Sequence, residues 1–347
     1  MSFPTRRAVL AAVFVALAAP VLAFDGQSVT DATGREVLVP LNPEKVFAAG
    51  PPASVLLYAL KPEAMVGWVM APKPVDLPYL LPETRGLPAL GRLTGKGDTL
   101  NLEVLLTTGA ELIVDFGTVN ATYRDLATRV QDQAGLPYVL IDGSFAATPQ
   151  AIREMAVILG VEARGELLAT YAEAAYAEAD ALLAQVPAPD RPRVYLARGP
   201  EGLESPARGS INAEIIERMG GINVVEAETR GLVTVSPEQI QAWAPDIILT
   251  VDRDFAANVR KMPEWQGIPA VDQGRVYLAP GEPFGFIDAP PSVNRLIGLK
   301  YLAHVFYPDL AGGDLKQGDL RQEIADFYTL FYQVTPDAAA LDALLGE

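Results

Sequence analysis

The chain has no cysteine, a single histidine (His304) and a deficit of positive charge, and each shortage removes a class of function. Without thiols there is no disulfide scaffold, no cysteine nucleophile and no thiolate-held zinc. One imidazole cannot form the clustered cage that a naked zinc or manganese ion requires. His304 falls in Leu299-Lys300-Tyr301-Leu302-Ala303-His304-Val305-Phe306, an amphipathic helical pattern beside Tyr307-Pro308, which reads as a packing position rather than a ligand. Lys and Arg number 27 against 43 Asp and Glu, a formal charge of −16, so nucleic acid phosphates and anionic lipid are repelled. Walker-type phosphate loops and the nucleophile-elbow serine motif are missing; Gly95-Lys96-Gly97 and Gly199-Pro200-Glu201-Gly202 are lone glycine turns. An enzyme would have to work with paired carboxylates, and no motif places two acids together. Beyond the N-terminus no apolar run approaches the ~20 residues of a membrane span.

What is present is a globular composition. Hydrophobic residues make up 50% and charged residues 20% of 347 positions, enough for two cored lobes. The N-terminus reads as an export signal: Arg6-Arg7, an apolar run from Ala8 to Ala19, then Pro20 and Val21-Leu22-Ala23. Thr5-Arg6-Arg7-Ala8-Val9-Leu10 has a twin-arginine character, although the usual Phe and Lys are missing. No cysteine follows the cleavage point, so the expected product is exported and soluble, without a lipid anchor.

After a β-rich start from Gln27 to Pro40, turned at Asp31-Ala32-Thr33-Gly34-Arg35, short apolar runs alternate with helical stretches. Strands are expected at Lys45–Ala49, Ala64–Val69, Glu111–Asp115, Tyr138–Ile141 and Arg193–Ala197, and helices at Ala53–Leu60, Leu102–Thr107, Tyr123–Gln133 and Asn212–Met219. The grammar repeats. Asn101-Leu102-Glu103 matches Ser236-Pro237-Glu238 at an offset of 135, with Glu111 facing Asp246 and Leu112-Ile113-Val114 facing Ile247-Ile248-Leu249. Between the copies, Glu162 to Val186 is rich in Ala, Leu and Glu, with an apolar stripe of Leu167, Leu168, Tyr171, Ala175, Ala179, Leu182 and Leu183. The expected fold is α/β: two similar Rossmann-like lobes joined by a single long helix, with a ligand cleft between them. The divisions read as a signal peptide over 1–23, an N-terminal lobe over 24–161, a connecting helix over 162–187, a C-terminal lobe over 188–310 and a helical tail over 311–347.

Several fragments together resemble the periplasmic binding proteins of ABC transporters for iron–siderophore complexes, haem and cobalamin. They are Val29-Thr30-Asp31-Ala32-Thr33-Gly34-Arg35, Asn101-Leu102-Glu103, Gly220-Gly221-Ile222-Asn223, Val235-Ser236-Pro237-Glu238-Gln239, Ala244-Pro245-Asp246-Ile247-Ile248, Gly274-Arg275-Val276-Tyr277 and Pro290-Pro291-Ser292-Val293-Asn294-Arg295-Leu296, with Tyr307-Pro308 after them. The resemblance runs from about residue 27 to the C-terminus. It implies a periplasmic monomer, not an enzyme and without an intrinsic cofactor, that delivers a small-molecule metal complex to a permease dimer in the inner membrane. Glu103 and Glu238 each stand in the first turn of a helix, where the dipole favours a carboxylate. In the family such glutamates, one per lobe, pair with arginines of the permease.

Ligand candidates are the residues where strands end at the cleft: Pro52, Trp68, Arg92, Asn120, Arg198, Arg208, Phe284 and Phe286. Arginine offers a planar fork to anionic oxygens, and aromatics offer flat apolar walls. With so few imidazoles, the cargo is expected to be a preformed chelate or an oxyanion. An iron–siderophore complex comes first, as the resemblance implies; molybdate or tungstate is the alternative; haem and cobalamin follow, haem being disfavoured by the want of an axial His or Cys.

Overall fold

The computed structural model describes residues 25–95, 99–313, 315 and 319–346; the expected export signal, and Lys96 and Gly97 of one glycine turn, lie outside the described residues. The chain opens with an antiparallel hairpin, β1 (Gly26–Thr30) and β2 (Glu36–Pro40). Its turn is held by the buried carboxylate of Asp31, which accepts from the Thr33 and Arg35 amides and from the Arg35 guanidinium at 2.6 Å. Arg35 also donates to the Tyr138 carbonyl at 2.7 Å, which fastens the hairpin to the lobe behind it.

The N-terminal lobe contains β3 (Val46–Ala48), α1 (Pro51–Leu60), α2 (Leu102–Thr107), β4 (Leu112–Gly117), α3 (Ala121–Ala134), β5 (Tyr138–Asp142) and α4 (Thr148–Leu159). Its sheet is parallel in the order β3-β4-β5. The connecting helix α5 spans Glu162–Leu183 and stops short of Val186. The C-terminal lobe contains β6 (Arg193–Ala197), β7 (Glu204–Pro206), α6 (Glu214–Arg218), β8 (Ile222–Asn223), β9 (Leu232–Thr234), α7 (Pro237–Trp243), β10 (Ile247–Thr250), α8 (Arg253–Asn258), α9 (Pro269–Asp272) and β11 (Val276–Leu278). Its sheet is parallel in the order β11-β10-β6-β8, and β7 pairs with β9 as a separate antiparallel ribbon. α10 (Arg295–Phe306), α11 (Leu320–Phe327), a π-helical turn at Tyr328–Tyr332 and α12 (Ala338–Leu345) finish the chain. Among the described residues, no helix is long and apolar enough to cross a membrane.

The internal repeat is real in three dimensions. α2 and α7, and β4 and β10, begin 135 residues apart, and each strand is interior to its lobe's parallel sheet, β4 between β3 and β5 and β10 between β6 and β11. Asn101 and Ser236 cap the two helices, the second in a full capping box with Gln239. The match extends to single atoms. Glu111 accepts from the Glu44 amide at 2.8 Å, and its counterpart Asp246 accepts from the Arg193 amide at 2.8 Å. Each carboxylate thus locks the start of the central strand to the start of its neighbour.

Three local expectations need correction. Ala64–Val69 is not a strand: it makes only the single bridges Val46–Met65 and Trp68–Ala89, with Gly67 between them pressed against the Pro88 carbonyl. α1 begins at Pro51 rather than Ala53, because proline presets the helical φ and the first helical amides need no partner. Leu167, placed in the apolar stripe of α5, is 53% exposed. Leu168, Ala175 and Ala179 of that stripe are buried, joined by Gly165, Ala169 and Ala172, while Tyr171, Leu182 and Leu183 are partly buried against the core. Small residues let α5 lie close against α4; a Cβ on Gly165 would meet the Ala156 methyl at 2.2 Å.

One continuous core runs through both lobes along α5, α10 and α11, while the outer face of each sheet has its own cluster. The tail is part of this core. The Tyr58 hydroxyl donates to the Tyr332 carbonyl at 2.9 Å, and Arg164 donates to the carbonyls of Leu330 and Ala59. His304 is buried with Nδ1 2.8 Å from the Gly313 carbonyl, the position of a packing residue.

The lobes are riveted by Arg295 at the start of α10. It is fully buried, lies 4.5 Å over the Phe145 ring, and donates to the carbonyls of Gly143 (3.1 Å) in one lobe and Ile211 (2.9 Å) in the other. Glu214 joins the same junction by accepting from the Phe145 amide at 2.6 Å. Burial lowers the Arg295 pKa to about 10, with Glu214 opposing the shift. Arg295→Met keeps the apolar stem but strips these carbonyls of their donor. The expected cost is on the order of 3 kcal/mol in urea unfolding, with α5 helicity retained.

Candidate ligand cleft

Segments that follow β3 in one sheet and β10 and β11 in the other meet at one cavity of about 550 Å³. One wall is the first turn of α1 with the loop from Trp68 to Asp76; the other is the start of α8 and the loop from Leu278 to Pro290. Ligands of open α/β sheets bind in such crevices because the strand ends and the following helix starts converge there.

Two aromatic rings, Trp68 and Phe284, line the cavity, with Tyr58 and Tyr332 buried behind them. The Trp68 and Phe284 centroids lie 6.1 Å apart, Tyr58 sits 5.6 Å from Trp68, and Tyr332 sits 5.5 Å from Phe284. Trp68 is oriented by its indole N–H, which donates to the Thr84 carbonyl at 2.7 Å. Burial pushes the Tyr58 hydroxyl up to about 12, so it stays a neutral donor.

The helix starts at the cavity are poor anion sites. α1 begins Pro51-Pro52, which have no N–H, and the Ser54 amide already donates to Gly50, leaving only Ala53. The Ser54 hydroxyl, 3% exposed as a residue and lining the cavity, has no partner among the described residues. α8 is occupied by its own cap: Asp252 accepts from the Phe255 amide at 2.9 Å, and Asp254 fills the first turn.

Charged residues on the lining are Lys73 and Arg253 against Asp76, Asp252, Asp254, Glu282 and Asp288. Arg253 is paired with Glu282. The pKa of Asp76 is raised, chiefly by burial and further by Glu282 on the opposite wall, although the Lys73 amide donates to it at 2.7 Å. Among the described residues no group of three His, Asp or Glu side chains could hold a metal ion.

Of the sequence candidates, Trp68 and Phe284 line the cavity together. Pro52 is one residue beyond the lining, and its carbonyl accepts from the Ser292 hydroxyl at 2.8 Å, bracing α1 against the other lobe. Arg92 lies beside the α1 start: a Cβ on Gly95 would stand 4.0 Å from its Nη1 and 3.9 Å from Pro51 Cδ. Arg198 stands behind the wall, ion-paired with the buried Asp288 and, at 3.2 Å, with Glu204. Asn120 caps α3, accepting from the Tyr123 amide at 3.0 Å. Arg208 holds the Asn223 carbonyl at 2.8 Å and Glu226 at 2.7 Å. Phe286 is wholly buried against Tyr301 and Tyr328. Glu103 and Glu238 are exposed in matching first turns of α2 and α7, and the Ser236 hydroxyl lowers the pKa of Glu238. Sequence reasoning passed over Ser54, Lys73, Asp76 and Arg253; the double proline before Ser54 was the readable signal, since it marks a helix start without donors.

The model of the periplasmic binding protein family matches residues 94–283. The chain belongs to that family. The molybdate-binding protein MolA of Haemophilus influenzae is 29% identical over 164 residues, 46% of this chain and 44% of that protein, so the match spans less than half of the curated relative. An ABC transporter solute-binding protein from Sulfurospirillum deleyianum superposes with a TM-score of 0.83 at 24% identity, covering 92% of this chain and 99% of its own. Helicobacter pylori CeuE, solved as a Ni-His complex, gives a TM-score of 0.71 at 17% identity, covering 92% and 98%. At these identities the structural likenesses speak for the fold.

Beneath the N-lobe edge of the cleft of this periplasmic binding protein lies Asp115, completely buried near the end of β4. Desolvation raises its pKa to about 6, although the Tyr138 hydroxyl (3.0 Å), the Phe116 amide (2.9 Å) and the Thr94 hydroxyl (3.3 Å) donate to it. The folded chain therefore binds this proton more tightly than the unfolded chain does. Its contribution to stability is full below about pH 4 and is lost as pH rises through about 6, on the order of 3 kcal/mol in all. Asp115→Asn should flatten that decline, measured as urea midpoints between pH 4 and 7 for variant and parent.

Proposed function

We propose that the chain captures a preformed metal complex of the iron–siderophore type in the inter-lobe cleft and delivers it in the periplasm to an ABC importer. The observation that carries this reading is a cavity of about 550 Å³ with an aromatic side and helix starts poor in anion donors. That volume suits an organic chelate, whose flat or apolar surfaces pack on Trp68 and Phe284. A bare oxyanion has no apolar surface to offer the rings and needs several converging N–H donors. The protein works as a monomer without a resident cofactor, exported by its N-terminal signal.

One observation favours a second reading. The curated relative is a molybdate-binding protein, and an oxyanion cargo would follow if that specificity were shared. Thermal unfolding separates the two. A ligand at 100 times its Kd adds about 2.7 kcal/mol, a shift of several degrees. Ferric chelates should raise the Tm while molybdate, tungstate and free Zn²⁺ leave it flat; the reverse pattern between chelates and molybdate would establish the oxyanion reading.

Delivery adds a separate expectation. Glu103 and Glu238 occupy equivalent positions on the two lobes, which suits a permease built from two like subunits. Charge pairs of this kind steer and orient docking. Glu103→Arg and Glu238→Arg should leave ligand affinity unchanged and sharply lower uptake and stimulated ATP hydrolysis in reconstituted liposomes. Wild-type uptake by the double variant would reduce both residues to helix-start carboxylates.

A further inference from the structure

The cavity lining carries five carboxylates and two cations; Asp288 is neutralised by Arg198 and Glu282 by Arg253, which leaves Asp76, Asp252 and Asp254 against Lys73. Of the two lining cations, Arg253 is paired with Glu282, and Lys73 stands beside Asp76 and favours its charged form. Arg198, behind the wall, is held between Asp288 and Glu204. Asp76 on one wall is attracted by Lys73 beside it and repelled by Glu282 on the other wall, and Asp254 stands exposed at the start of α8. The helix starts do not reverse this sign, because α1 starts with two prolines and α8 is capped by Asp252 with Asp254 in its first turn. A second observation points to a ligand: the Ser54 hydroxyl, more than nine-tenths buried, lines the same cavity without a hydrogen-bond partner among the described residues.

We infer that the cleft selects, among metal complexes, those whose outer face is neutral or positively charged, with Asp76, Asp254 and Glu282 facing that charge and Ser54 taking a hydrogen bond from the buried end. The inference rests on the chelate reading above and adds a charge class to it. A cationic face placed between Asp76 and Glu282 relieves their repulsion, whereas a polyanionic complex or an oxyanion enters against the same field. The Ser54 hydroxyl, both donor and acceptor, then meets an oxygen or N–H at the inner end of the complex, removing an unpaired buried group.

The test uses titration calorimetry of the full mature chain with four probes at two salt concentrations. They are a ferric tris-hydroxamate with a pendant ammonium (net charge about +1), a neutral ferric tris-hydroxamate, a ferric tris-catecholate (about −3) and molybdate. The expected order of affinity is cationic, then neutral, then catecholate, with at least about tenfold between the extremes and with salt weakening only the cationic complex. Asp254→Asn, at an exposed position, should weaken the cationic probe about fivefold and strengthen the catecholate. Ser54→Ala should weaken every bound hydroxamate alike, about threefold or more. Catecholate binding as tight as the cationic probe, or an Asp254→Asn effect that ignores ligand charge, overturns the charge selection and leaves the chelate reading standing. Binding of molybdate alone, or of no probe, overturns both.

Discussion

Arg295 brings a full charge into a site closed to water, and that site exists only where the two lobes meet. Its guanidinium is satisfied by carbonyls from both sides, Gly143 and Ile211, and it stacks on Phe145 while Glu214 holds the Phe145 amide. Separating the lobes would leave a buried cation and several carbonyls unpaired, which is costly. The relative setting of the two sheets therefore follows from a few polar contacts, and the helix α5 and the continuous core along α10 and α11 keep them aligned. The cleft is a consequence: segments that follow strands of both parallel sheets meet at a cavity that neither lobe could form alone.

The helix ends that reach the cavity offer few donors to an anion. Helix starts in such folds ordinarily offer free amides to anions. Here two prolines delete them from α1, and Asp252 consumes them at α8. Aromatic rings and carboxylates form the rest of the lining, so dispersion and a negative field replace the usual nest of donors. The Arg253–Glu282 pair and the Arg198–Asp288 pair show the same preference: cations near the cleft are matched by acids of the chain itself.

Much of the architecture was legible because it repeats. The capped starts at Asn101 and Ser236 and the apolar runs at Leu112 and Ile247 announced two lobes, and the structure extends the match to Glu111 and Asp246. Ala-rich helix propensity announced α5 and most of its buried stripe, but Leu167 was wrongly included and Gly165, Ala169 and Ala172 were left out, since small residues rather than leucines make its close contact with α4. The site was harder to read. Trp68 and Phe284 were visible as aromatics at loop positions. The fates of Arg198 and Arg208 were not, because their partners Asp288 and Glu226 lie 90 and 18 residues along the chain. Ser54 and Asp76 gain their character from burial and from a facing wall, which no local pattern encodes.

The central claim is that this cleft holds a metal complex of neutral or positive charge. Native mass spectrometry of the protein isolated from its own periplasm weighs the bound species directly. A single retained mass per chain, carrying an iron isotope signature and matching a neutral or cationic chelate, is the predicted result. A retained molybdate or tungstate, or a polyanionic iron complex, would contradict it.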